Sequence, residues 1–137
     1  SLNPHFSPAY QTLGLIQEQR KDLDESIAAL HRAIDLAPNS PRMRAALARA
    51  FALAGRKEQA LQILKQLEDL SKRRYVSPFD FALVRFALGQ EEIAFKWLNR
   101  ARKDRAFEMN SLNADPRFDP VRNDPRFRAI VKSIGLG

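Results

Sequence analysis

The residues of this chain whose types could do chemistry are few, and their spacing assigns most of them to helix ends. His5 and His31 are the only histidines. A general acid or base needs a partner within hydrogen-bond reach; His5 falls in a linker and His31 adjoins Leu30 and Arg32 on a helix, so both read as surface side chains. Glu91-Glu92, and Asp22 with Asp24-Glu25, look like paired carboxylates for acid–base work. Each group, however, occupies the first turn of an expected helix, where negative charge offsets the positive end of the macrodipole. The absence of cysteine excludes thiol nucleophiles, disulfides and cysteine zinc sites. The glycines form no phosphate-cradling loop: Gly14 suits helix packing, Gly55 and Gly89 suit turns, and Gly135 and Gly137 end the chain. The expectation is a protein that is not an enzyme and needs no cofactor or metal.

Charge offers a second kind of chemistry. Lys+Arg 23 against Asp+Glu 16 leaves +7, which makes polyanions conceivable partners. The excess sits in two clusters, Lys72-Arg73-Arg74 and Arg100, Arg102, Lys103 and Arg105, both among apolar residues at helical spacing. A solvated basic helix face is therefore preferred over a nucleic-acid footprint, which stays as an alternative. Apolar runs such as Phe51–Ala54 fall far short of the roughly 20 residues that span a bilayer, so no membrane insertion is expected. No signal-peptide pattern opens the chain, and the cytoplasm is the default compartment. At 137 residues, the chain reads as one domain able to bury roughly two-thirds of its unfolded surface without a staple.

The elements that position these residues follow a fixed period. Ser26, Ala60 and Ala94 lie 34 residues apart, as do Leu30, Leu64 and Leu98, and Gly14, Ala48 and Ala82. Leu13, Leu47 and Phe81 repeat with them, as do Lys21, Gly55 and Gly89; Ile27, Leu61 and Phe95; and Ala33, Leu67 and Ala101. A period of this length signals a repeat architecture. The small columns let two antiparallel helices approach closely while the large residues beside them fill the grooves. Ser7-Pro8, Ser40-Pro41 and Ser77-Pro78 mark first helices, with serine capping free amides and proline at the first helical position. Second helices should begin near Asp22, Arg56 and Gln90, and stop signals stand at Pro38 and Gly135. Each hairpin leaves a face that the next one covers.

These columns resemble the tetratricopeptide repeat family, whose 34-residue unit carries a W-x₂-L-G-x₂-Y, A-x₃-F, P pattern. In the first unit Tyr10 stands for the aromatic, Leu13-Gly14 and Pro38 match, and Ser26 and Leu30 replace the alanine and phenylalanine. The second keeps Leu47, Ala48, Phe51, Ala60 and Leu64, with Arg44 and Lys72 in place of the first aromatic and the proline. The third keeps Phe81, Ala82, Ala94 and Leu98, with Pro78 and Arg85 at the aromatic positions. The resemblance implies an all-α, right-handed α-solenoid of antiparallel helix hairpins. The expected frame is a single domain: 1–6 ending a preceding repeat, repeats at 7–40, 41–74 and 75–108, and a C-terminal cap at 109–137.

Leu2-Asn3-Pro4 stands 34 residues before Leu36-Ala37-Pro38, so the chain is expected to begin inside a longer array. At the other end, Asp115-Pro116-Arg117-Phe118 recurs as Asp124-Pro125-Arg126-Phe127, with Asp119-Pro120 between them. Asp before Pro is a helix-start signature. Phe127, Ile130, Val131 and Ile134 then form a stripe suited to covering the third hairpin. This tail is similar to the C-terminal repeat regions of bacterial multidomain signalling proteins, including winged-helix regulators, serine/threonine kinases and nucleotide cyclases.

In the resembled family the first helices line a concave groove that takes an extended peptide or a helix. The matching positions are Gln11, Leu15 and Glu18; Arg42, Ala45, Arg49 and Leu53; and Val76, Phe79, Leu83 and Phe86. The third-unit end would offer an aromatic patch beside Arg42 and Arg49, suited to an apolar anchor flanked by an acidic group. The competing reading is that the C-terminal segment folds over Phe79 and Phe86 and makes them core. The family's carboxylate clamp for chaperone tails is not matched, since Gln11, Leu15, Ala46, Val76 and Asp80 occupy its places. The expected partner is a protein or peptide, or an effector domain of the same chain; a homo-oligomer is the alternative, through the exposed end of the array.

Overall fold

Two serine-proline steps start helices in the way their chemistry dictates. In the computed structural model, which describes residues 22–135, the Ser40 hydroxyl accepts from the Met43 amide at 3.3 Å and the Ser77 hydroxyl accepts from the Phe79 amide at 3.2 Å. Pro41 and Pro78 follow at the first helical position, where no amide hydrogen is needed. The step at Ser7-Pro8 lies outside the described residues. Asp22, Arg56 and Gln90 precede the other helices with nearly the same backbone angles, φ −97, −93 and −93. The 34-residue period thus extends to backbone conformation.

The architecture is all-α, with no strand among the described residues. Among the described residues five α-helices precede the C-terminal segment: α1 Leu23–Leu36, α2 Pro41–Leu53, α3 Lys57–Ser71, α4 Pro78–Ala87 and α5 Glu91–Lys103. Two 3₁₀ segments follow, η1 Phe107–Ala114 and η2 Pro116–Val121, and then α6 Pro125–Ser133. The fold divides into two compact units, one ending at Val76 and the other starting at Ser77. In the first, α2 packs on both α1 and α3. In the second, α4 and α5 form a hairpin, and α6 packs on α5.

The repeating columns are the core. Ser26, Ala60 and Ala94 are each fully buried, as are Ala48 and Ala82, and Leu30, Leu64 and Leu98 lie beside them at no more than 1% exposure. Small side chains at the crossing let the backbones approach, and burying each leucine contributes about 1.5–3 kcal/mol. Gly55 and Gly89 end α2 and α4 at φ +77, a left-handed conformation that glycine adopts without a Cβ penalty. The amide after each reaches back to close the helix, Arg56 to the Phe51 carbonyl at 2.9 Å and Gln90 to the Arg85 carbonyl at 3.0 Å. The same closure ends α5, where Ala106 donates to the Ala101 carbonyl at 3.0 Å. There the left-handed residue is Arg105, at φ +54.

The two Asp-Pro-Arg-Phe copies build the same device twice. Asp115 accepts from the Arg117 amide at 3.0 Å, and the Arg117 guanidinium turns back onto the same carboxylate at 2.7 Å. Asp124 and Arg126 repeat this at 2.8 Å for both bonds. Each device delivers a phenylalanine to the interior: Phe118 and Phe127 are both 1% exposed and stack at 5.4 Å. Phe118 also meets Phe79 edge-on at 5.6 Å and Phe86 at 5.8 Å. Around it close Met109, Leu112, Val121, Ile130 and Val131 with α4 and α5. The tail is therefore an integral part of the second unit's core.

Two outcomes follow from this packing. Truncating Phe118 to alanine should cost about 3–5 kcal/mol, read from urea denaturation followed by the fluorescence of Trp97, which stacks on Phe81 at 4.6 Å; a loss under about 1 kcal/mol would mean that the tail is not packed as described. Arg105→Gly should raise the unfolding midpoint, because a left-handed L-residue costs roughly 1–2 kcal/mol and glycine's extra unfolded-state entropy offsets only part of that; an unchanged or lowered midpoint would contradict the assignment.

Candidate protein-binding surface

The groove positions expected from sequence separate by helix. On α2, Arg42 is exposed, Arg49 half-buried and Leu53 42% exposed, while Ala45 is buried. With intervals of three, four and four residues they share one helix face. Arg44, at the place of the family's aromatic, instead donates to the Pro38 carbonyl at 2.9 Å and holds the turn between α1 and α2. Gln11, Leu15 and Glu18 lie outside the described residues.

The α4 positions are different. Val76, Phe79 and Leu83 are buried at 7%, 1% and 6% exposure. Phe86 is half-buried, edge-on to Phe95 at 4.9 Å as well as to Phe118. The expected ligand-facing aromatic patch is corrected at Phe79, Leu83 and Phe86: these side chains belong to the core of the second unit, under Phe118. Of the two readings that the sequence left open, the fold-back of the C-terminal segment is the one observed. The signal lay in the motif itself. Phe118 holds the same place in its Asp-Pro-Arg-Phe copy as Phe127, and a residue equivalent to a core residue is itself a core candidate.

Cations around this core are clamped to it. Arg126 lies 4.3 Å above the Phe95 ring and also pairs with Glu91 at 3.2 Å, so one guanidinium ties α6 to α5. Arg117 lies 5.6 Å from the Phe79 ring centre. Arg122 donates to the carbonyls of Asn113 and Asp115 and to the Asp119 carboxylate, fastening η1 to η2. The two basic clusters are partly neutralised, since Lys72 pairs with Asp69 at 3.7 Å and Arg100 with Asp104 at 3.3 Å. Arg100, Arg102 and Lys103 also lie in the last turn of α5, where positive charge favours the helix dipole. His31 is exposed, with its ring edge-on to Phe51 at 6.1 Å. No cluster of histidine, aspartate and glutamate suited to a metal occurs among the described residues, and no helix among them is long and apolar enough to cross a membrane.

Two cavities open on the C-terminal segment. One of about 660 Å³ is bordered by Asn113, Arg122, Asn123, Arg128 and Lys132 over Phe127 and Val131. A smaller one of about 220 Å³ lies by Arg102, Arg105 and Asn110 over Met109 and Ile134.

Paired short helices with small residues at their crossings, repeating at 34 residues, define a helical-repeat protein. Comparison with family models agrees: the tetratricopeptide repeat model matches residues 3–74, and the chain belongs to that family. No curated protein and no solved structure matches it. The repeats of this family generally mediate protein–protein interaction, and the family is typically a non-catalytic interaction module.

The Asp124 clamp has a pH signature. The hydrogen bonds from the Arg126 guanidinium and then from its amide hold the Asp124 carboxyl below its ordinary value, and the same pairing raises Arg126. A carboxylate lowered in the folded state contributes stability above its unfolded pKa and loses it as pH falls towards the folded one. Asp124→Asn keeps an N-cap side chain but removes the charge, so it should be less stable than wild type at neutral pH. The gap should close as pH falls through the acid side of the carboxylate range in urea titrations; a gap that persists there would contradict the clamp.

Proposed function

We propose that this chain is a non-catalytic scaffold, the tetratricopeptide module of a larger protein, which docks a peptide or helix in a groove lined by the first helices of its repeats. Membership of the family, by the match over residues 3–74, carries this reading. The proposed frame is one module with repeats at 7–40, 41–74 and 75–108 and a cap at 109–137. The groove residues are Gln11, Leu15 and Glu18 with the α2 face of Arg42, Ala45, Arg49 and Leu53. The burial of Phe79 and Leu83 shifts the contact surface of the groove towards the first two repeats. The two arginines favour an acidic group beside an apolar anchor that meets Leu53. The resemblance read in the repeated Asp-Pro-Arg-Phe tail is the ground for proposing a place beside the effector domain of a bacterial signalling protein, in the cytoplasm.

The test is a pull-down with the immobilised chain against lysate of the source organism, at low and high salt. A discrete protein should be retained at high salt, because apolar contacts release few counterions, and Arg42→Glu with Arg49→Glu should abolish its retention. Unchanged retention by the double variant would reject the groove, and elution of nucleic acid or a broad acidic mixture at moderate salt would move the function to the basic faces.

A further inference from the structure

We propose that the cap carries a second docking site, the cavity beside α6, which takes an acidic stretch of a protein partner bearing an aliphatic side chain. This site is independent of the groove on the first helices.

The cavity's charge is unbalanced. Its border holds three cations and no carboxylate side chain. Arg122 is neutralised by Asp119 at 2.8 Å, but Arg128 bonds only the Asn123 amide oxygen, at 3.3 Å. Neither Arg128 nor Lys132 has a carboxylate partner among the described residues. The two stand four residues apart on exposed turns of α6, an arrangement in which like charges repel. An anion between them relieves that repulsion and adds two charge-assisted hydrogen bonds. Everywhere else on this segment the chain supplies the counter-charge itself: Asp115 for Arg117, Asp119 for Arg122, and Asp124 and Glu91 for Arg126. At Arg128 and Lys132 it does not.

Shape selects the class of anion. The cavity of about 660 Å³ lies within the range of ligand-binding clefts, and the exposed edge of Val131 with the alkyl stems of Arg128 and Lys132 offers apolar contact beside the charges. A nucleic-acid backbone needs a continuous basic track, whereas this open cleft carries two unneutralised cations one helical turn apart beside an apolar patch. An acidic peptide places one carboxylate on Arg128 and Lys132 and an adjacent leucine-like side chain against Val131, with Asn113 and Asn123 at the rim to meet its backbone.

Fluorescence anisotropy of the full chain with a labelled synthetic peptide of alternating glutamate and leucine tests the proposal. Saturable binding is expected, weakened about tenfold or more by Arg128→Glu with Lys132→Glu and left within about twofold by Arg42→Glu with Arg49→Glu. Trp97 emission and the urea midpoint verify that each variant is folded. Should the charge reversals fail to fold, Arg128→Ala with Lys132→Ala must show the same direction of loss. Binding unaffected by the α6 variants overturns the proposal, as does equal binding of an all-glutamate peptide or of single-stranded oligothymidylate, because the apolar patch would then contribute nothing. Loss with the α2 variants alone overturns the cap site and leaves the groove standing; loss with the α6 variants alone is the result expected of the cap site and leaves the groove to its own pull-down test.

Discussion

The Phe118 ring lies edge-on to Phe79 and Phe86 of α4 and stacked on Phe127 of α6, so one side chain holds the α4–α5 hairpin and the C-terminal segment together. A helix hairpin at the end of a repeat array has an apolar face with no following hairpin to cover it. Here the face is closed by 3₁₀ turns and a short helix, whose interior residues Met109, Leu112, Phe118, Val121, Phe127, Ile130 and Val131 complete a single cluster with α4 and α5. The geometry of the rings favours this closure, since edge-on and offset contacts match the positive edge of one ring to the negative face of another. The placement of the surrounding charges follows from it.

Those charges are arranged by the doubled Asp-Pro-Arg-Phe motif. Proline sets the first helical torsion, aspartate caps the free amides, arginine forks back to the aspartate, and phenylalanine turns inward. Because each arginine is also laid across a core ring, Arg117 near Phe79 and Arg126 over Phe95, the basic residues of the tail shield the aromatic interior. Local pairs neutralise these arginines, and the +7 excess of the chain rests on cations outside such pairs. The cations of α6 that escape such pairing are the ones left to a partner.

The helices and their crossings were legible because each rests on a local rule with a long repeat behind it. Ser40-Pro41 and Ser77-Pro78 cap as their chemistry requires, Gly55 and Gly89 take the left-handed turn, and the small columns at Ser26, Ala60, Ala94, Ala48 and Ala82 are fully buried. The fate of α4 was not legible in the same way. Phe79 and Phe86 sit at positions that face a ligand in the family's frame, and contact with Phe118, about thirty to forty positions further along the chain, covers them. Helical periodicity reports which residues share a face; it is silent on which segment covers that face. Arg105 was equally hidden, since nothing in its side chain announces a left-handed backbone.

Closure of the α4–α5 hairpin buries Phe79 and Leu83, while Arg42 and Leu53 on α2 and Arg128 and Lys132 on α6 stay exposed. Native-state hydrogen exchange tests this closure most directly, because segments sharing one core open in one cooperative step. The amides of α4 and α6 should exchange with a common opening free energy in the wild-type chain and lose their protection together in Phe118→Ala. Fast exchange of α6 beside a fully protected α4 would contradict it, since the hairpin would then be stable without its cover.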